Sequence, residues 1–356
     1  MYFESKNDLG AHIDTLCMEP DEQMMLLVGY KSAGELTEVM AYLNEKEINF
    51  FGGIYAGLLV GNKNRDSGYI VEKFKSIYSS MVLPNLMRFK LDVSSIEGYT
   101  ALVLVDGLTS KMRELIDTLF NKMGTHVNYI GGGAGYYDMV QRPCIFNNQG
   151  LFQDVLHVCV IPSELCSSVR HGWKKLHGPF IVEKSEDNTL ISLDDDTAFN
   201  IYKEVIEEEE RITLFKEDFF SFAKDHPFGI LQDDGSLIVR DPISLNDNYD
   251  IVCVADIPEK SKVYVLKGDV DTLLSSSLEI TEYCIDRAPD SYIPLLFDCI
   301  SRAMFMEDRF EEELMNIQDK IKPVVQGALS LGEIASKRNG EIVIHNKSTV
   351  LGFLTI

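Results

Sequence analysis

No uninterrupted apolar run in the chain approaches the roughly 18 residues that a membrane helix requires, which argues against membrane insertion. The N-terminus, MYFESKNDLG, carries acids where a signal peptide carries lysines and an apolar segment, so a cytoplasmic location is expected. Positive charge is also scarce. Lys and Arg total 33 against 56 Asp and Glu, a formal charge of -23 that repels phosphate backbones and anionic lipid and disfavours nucleic-acid binding. The seven cysteines are odd in number and scattered, with no CxxC pair, which is the usage of reduced buried thiols and gives no zinc or redox motif.

Several catalytic signatures are missing as well. No glycine run ends in Gly-Lys-Ser/Thr, so a Walker loop is absent, and there is no G-x-S-x-G elbow and no HExxH pair. Gly131, Gly133 and Gly135 in IGGGAGYY miss the dinucleotide-binding spacing. The following DMVQRPCIF is not a helix opening, although pyrophosphate recognition needs helix N–H groups there.

What is present suits a globular protein of two domains, since 356 residues exceed one ordinary core. MMLLVGY reads as a strand, and Leu36, Val39, Met40 and Leu43 follow at helical spacing; INFF is a second strand running into GGIYAG. The pattern returns in ALVLVDG, in the helical stripe Met112, Leu115, Ile116 and Leu119 behind a cap at Thr109 or Ser110, and in HVNYIGGGAG. Strand, helix, strand and glycine turn thus occur twice, with Gly57 and Gly135 as equivalent turn residues. The fold class expected is α/β (α+β): two α/β domains with mixed sheets flanked by helices, the N-terminal one holding an internal βαβ repeat.

Between Ser185 and Glu210 the chain becomes acidic, and AFNIYKEVIEEEE predicts a helix with Phe199, Tyr202 and Ile206 facing inward and a solvated acidic face. The domain division is placed here, as 1–198 and 199–356. Beyond it, PFGIL, SLIVRDP, DIVCVADIP and KVYVLKGD read as strands closed by turn residues, MFMEDRFEEELMNIQDKI as one amphipathic helix, and the remainder as strands and turns.

Two arginines stand in apolar surroundings, Arg240 in IVRDP and Arg302 in FDCISRAM. An arginine there requires a carboxylate: an internal one, with Asp241, Asp298 and Glu333 as candidates, or one belonging to a ligand. His171 and His177 bracket the only tryptophan in HGWKKLHG, and six residues apart they do not share a helix face; anchoring a turn is the plain reading and haem ligation the sharper one. Cys144 and Cys299 are the thiols to consider as nucleophiles, but both neighbour large apolar residues.

The glycine turns, QRPCIFNNQGLFQDVLHVCVI, HGWKKLHGPFIVEKSEDNTLISLDDDTAFNIYKEVI, and then HPFGI, IVRDP, DIPEKSKVYVLKGD, FDCISRAM, GALSLGEI and HNKST together resemble the FIST sensory domain family in both its N-terminal and C-terminal halves. The resemblance covers nearly the whole chain. It implies a stand-alone signal-input protein, not an enzyme, that binds a small molecule such as an amino acid or small carboxylate. A separate signalling protein would receive the signal: a kinase, a chemoreceptor or a cyclic-dinucleotide enzyme. No cofactor is expected, with haem for nitric oxide sensing as the alternative reading, His171, His177 and His226 its first candidates, and an enzyme of unrecognised type as a further one. The expected ligand-binding residues are Gly131, Gly132, Gly133, Gly135, Tyr136, Arg240, Cys299, Arg302 and Glu333.

Overall fold

The computed structural model describes residues 1–82 and 92–356. It is a mixed α/β protein, as expected, with a repeat that occurs three times. Each unit has a strand, a helical connection, a second strand parallel to the first, a hairpin, and a return strand antiparallel to the first. In the first unit these are Glu22–Gly29, Leu36–Glu45, Phe50–Tyr55, the hairpin Gly57–Val60 with Lys63–Arg65, and Tyr69–Lys75. The second has Tyr99–Asp106, Met112–Met123, Val127–Ala134, the hairpin Ile145–Asn147 with Gly150–Phe152, and Leu156–Ile161. The third has Tyr292–Cys299, the helices Ile300–Met306 and Phe310–Gln318, Gln326–Ser330, the hairpin Glu333–Ser336 with Ile342–His345, and Thr349–Thr355.

The hairpins are exchanged in a cycle. That of the first unit extends the sheet of the third, that of the third extends the sheet of the second, and that of the second extends the sheet of the first. Three six-stranded sheets result, and each contains strands from two units. The sheets surround a shared interior, as the alternation of side chains shows. In Tyr99–Asp106, Leu102 and Leu104 enter the central cluster, while Ala101, Val103 and Val105 pack with helix Met112–Met123. Leu295 and Phe297 of the third unit also point to the centre, and Leu296 packs under the helices instead. Strands buried on both faces read as continuous apolar runs, which is why MMLLVGY and ALVLVDG are so uniformly apolar.

The glycine segments are not turns after strands, contrary to the expectation. Gly52 and Gly53 lie within Phe50–Tyr55, and Gly131, Gly132 and Gly133 lie within Val127–Ala134. Strand pairing also replaces Gly57 and Gly135 as the equivalent residues by Gly52, Gly131 and Gly327, opposite Leu26, Val103 and Leu296. A Cβ at these three positions would stand 2.0, 1.7 and 1.7 Å from the carbonyl oxygen of its partner. The chain therefore needs glycine at the same point of each unit for two parallel strands to approach.

A β-rich module is inserted in the third unit between its edge strand, Leu165–Arg170, and helix Val270–Ile285. Its strands include Lys174–Glu186, Thr189–Leu193, Phe228–Leu231, Leu237–Arg240, Ile251–Cys253 and Lys262–Lys267, around its own core. The expected helix Ala198–Glu210 belongs to it, with Phe199, Tyr202 and Ile206 buried. Two helical expectations need correction. Val270–Ile285 was not anticipated at all, and the single helix expected from Met304 onward is broken at Glu307–Arg309, where Glu307 adopts φ +50°.

Candidate functional site

Two neighbouring regions collect the sequence candidates, and they differ in how their arginines are satisfied. In the first, strand Tyr292–Cys299 ends in Asp298 and Cys299, and the helix that follows immediately presents Ser301 and Arg302. The hairpin of the same unit brings Glu333 opposite Gly132 of the second unit. A methyl on Gly132 would meet Phe297 and Ser330 at 2.8 Å, so the glycine allows Ser330 and Glu333 to close over the strand.

Arg302 is fully buried, and its Nη2 donates to both carboxylate oxygens of Glu313, at 2.7 and 2.9 Å. Its Nε lies 3.2 Å from Asp298 as an ion pair, and Nη1 donates to the His171 carbonyl at 2.6 Å. Burial opposes the guanidinium's charge, yet the two carboxylates outweigh it and raise its pKa. Burial, together with Glu313, pushes the Asp298 carboxyl well above its usual range. The internal ion pair is thus the observed state, with Asp298 as one partner; Glu313 was not anticipated, and Asp241 and Glu333 are engaged elsewhere. Arg302 has no open side from which to fork a ligand carboxylate.

Glu333 accepts from Ser330 Oγ at 2.7 Å and from the Ser348 amide at 3.2 Å. Burial raises its pKa to about 8 despite these donors and the Arg302 charge. The loop His345–Thr349, the HNKST of the sequence, is buried throughout although every residue in it is polar. Lys347 pairs with Asp241 at 3.0 Å and donates to the Lys224 carbonyl at 2.8 Å. Thr349 bonds to Asp298 and Glu313. Asn346, however, is 1% exposed and its amide has no partner, and the buried His345 Nε2 has none either.

The second region adjoins the first through His345, whose pKa falls to about 3, first from burial and then from the nearby Arg240, His171 and Lys337 charges. Here a cleft of about 290 Å³ separates the inserted module from the body. One wall is Ile230, Gln232, Ile238, Arg240, Asp256 and Pro258; facing it are helix Met112–Met123 and the hairpin carrying Lys337, Ile342 and Ile344. Arg240 is 7% exposed, and its three hydrogen bonds all go to main-chain carbonyls: Asp256 at 2.7 Å, Val239 at 3.1 Å and, across the cleft, Ile344 at 3.1 Å. Burial lowers its pKa. Lys337 also crosses, to Gln232 at 3.0 Å, and Arg113 faces Asp256 at 3.6 Å.

Tyr136 and Gly135 stand apart from both regions. Gly135 donates to the Ile54 carbonyl, and the Tyr136 ring carries the Arg142 guanidinium 3.9 Å from its centroid. The three histidines do not converge. His171 Nδ1 accepts from the Trp173 amide, His226 Nδ1 meets the Phe222 carbonyl while its Nε2 faces Glu210 at 3.3 Å, and His177 is exposed and stacks on Phe180. Cys144 and Cys299 are buried, and burial pushes both thiols up in pKa, the opposite of an activated nucleophile. Among the described residues no group of three or more His, Cys, Asp or Glu could hold a metal ion, and no helix is long and apolar enough to cross a membrane.

The architecture is that of a mixed α/β protein, a cyclic three-unit body bearing an inserted β-rich module with a cleft between them. The chain belongs to the FIST family: the FIST N domain model matches residues 25–196 and the FIST C domain model residues 198–336. FIST domains are sensory domains of signal transduction. The two models meet inside the inserted module, between its strand Asp196–Thr197 and its helix Ala198–Glu210. No curated protein matches the chain.

Proposed function

We propose that this FIST protein binds an amino acid or small carboxylate in the cleft between body and insertion, and passes the signal to a partner protein. One observation carries the reading: Arg240 is a buried guanidinium on the cleft wall whose hydrogen bonds go only to neutral carbonyls, with the Asp256 charge near but unbonded, whereas Arg302 nearby is hydrogen-bonded to Glu313 and ion-paired with Asp298. A ligand carboxylate supplies the charge that Arg240 lacks, Asp256 stands beside it for a cationic group, and Ile230, Ile238, Ile342 and Ile344 form an apolar wall.

The coupling follows from what crosses the cleft. Arg240 to Ile344, Lys337 to Gln232 and Arg113 to Asp256 all join insertion to body. A ligand that exchanges these contacts for its own favours one relative placement of the two parts, and a partner that reads that placement receives the signal. The glycine strand, Cys299, Arg302 and Glu333 then act as the rigid base behind the cleft.

The test is a thermal-shift screen of amino acids and small carboxylates against the native protein and Arg240→Met. Binding to the folded state raises stability by about 2.7 kcal/mol at a hundredfold excess over Kd. A ligand that shifts both proteins equally places the site elsewhere. A Soret absorbance in the purified protein, lost on replacing one histidine, moves the reading to haem.

A further inference from the structure

Cys166 and Cys284 belong to neither region; they lie on the strand and the helix that flank the inserted module, at the ends of those elements away from it. Cys166 lies on the edge strand Leu165–Arg170, opposite Phe353, and is half-buried; Cys284 is fully buried in the last turn of helix Val270–Ile285. The insertion leaves the body after that strand and returns just before that helix, so the two thiols bracket it. The helix packs on both the edge strand and the return strand Thr349–Thr355, with Cys284 Sγ 3.7 Å from the Leu351 carbonyl. Cys284 belongs to the apolar cluster under the helices and Cys166 packs against the same cluster, on the face of the sheet that this helix covers.

The geometry points to an oxidative modification site: Cys166 and Cys284 form a peroxide-responsive dithiol whose disulfide ties together the body strand and the body helix that flank the inserted module. The two are unequal in the way such a pair requires. The neighbouring Cys284 thiol and the positive charge of Arg287 lower the Cys166 pKa, whereas the Cys166 thiol and burial raise that of Cys284. Cys166, half-buried on an edge strand where peroxide can reach it, is the attacking thiolate, and the buried Cys284 the resolving thiol.

The Cys166 thiolate attacks one oxygen of hydrogen peroxide; the S–O bond forms, the O–O bond breaks, and hydroxide leaves to become water on taking a proton. Cys284, giving up its proton, then attacks the Cys166 sulfur of the sulfenic acid. The S–S bond forms, the S–O bond breaks, and a second water departs. Two thiols are oxidised and one peroxide is reduced. The bond ties the edge strand of the body sheet to the helix packed on it.

The full chain carrying Cys17→Ser, which removes the exposed thiol, is treated with stoichiometric peroxide and mapped by non-reducing peptide mass spectrometry. The expected product is a linked Cys166–Cys284 peptide pair, two mass units lighter than the reduced peptides and reversed by dithiothreitol. In Cys284→Ser the same treatment leaves Cys166 as a sulfenic acid trapped by dimedone. Cys166 proceeding to sulfinic acid while Cys284 stays free in the parent, or both thiols surviving peroxide that oxidises Cys17 in the native chain, overturns the proposal.

Discussion

Arg302 and Arg240 lie on two sides of the same polar junction, but their surroundings are opposed. Arg302 has two carboxylates, two carbonyls and no exposure, whereas Arg240 has three carbonyls and a cleft beside it. The difference separates structure from function. A buried charge whose hydrogen-bonding directions are matched by fixed counter-charges is a completed piece of architecture, while one matched only by neutral acceptors retains attraction for an anion.

The strongest way to break that comparison is Arg302→Ala. It leaves Glu313 and Asp298 buried together without their cation and should cost about 3–5 kcal/mol in denaturant unfolding. An Arg302→Ala protein of native stability would remove the architectural role. Gly132→Ala probes the same closed region from the opposite strand, because its methyl meets Phe297 and Ser330; the expected loss is about 3 kcal/mol. Gly34→Ala, with no atom within 4 Å of the new methyl, should stay within about 0.5 kcal/mol and serves as the control.

Arg240→Met should cost less, about 1–2 kcal/mol, since only bonds to carbonyls are lost, and should abolish the ligand-dependent rise in Tm. If its stability falls as far as that of Arg302→Ala while ligand binding survives, the two arginines are alike and the cleft reading fails. The smallest effect is one of pH. Glu333 has a folded pKa near 8, above its unfolded value, so the native state binds the extra proton and the stability this provides is lost as pH rises from about 4.5 towards 8. Glu333→Gln, which keeps the neutral form, should gain on the parent between pH 6 and 8.5 in parallel unfolding curves. A constant difference across that range would show that Glu333 does not titrate there.

Much of the secondary structure was legible, since apolar runs and helical stripes are local signals. Helix Ala198–Glu210 and strands such as Leu156–Ile161 lie where the pattern put them. The third unit was not legible, because the insertion separates its edge strand from the rest and its helical connection is split by Glu307. Helix Val270–Ile285 escaped notice because SSSLEITE mixes serines and β-branched residues, which weaken the helical signal. Within the site, Arg240, Arg302, Cys299 and Glu333 could be picked out by residue type and context. Glu313 could not, since in the run Glu311 to Glu313 nothing marks the third glutamate as the buried one.

The amino-acid sequence by itself determined the α/β class, most of the elements and the two out-of-place arginines, because periodicity and the cost of burying charge act over a few neighbouring residues. Tertiary structure decided the cyclic exchange of hairpins, why glycine is needed at positions 52, 131 and 327, and which arginine is already satisfied. Those depend on contacts between residues far apart in the chain, where the distance from a methyl to a carbonyl oxygen, or from a guanidinium to a carboxylate, exists only once the sheets have paired.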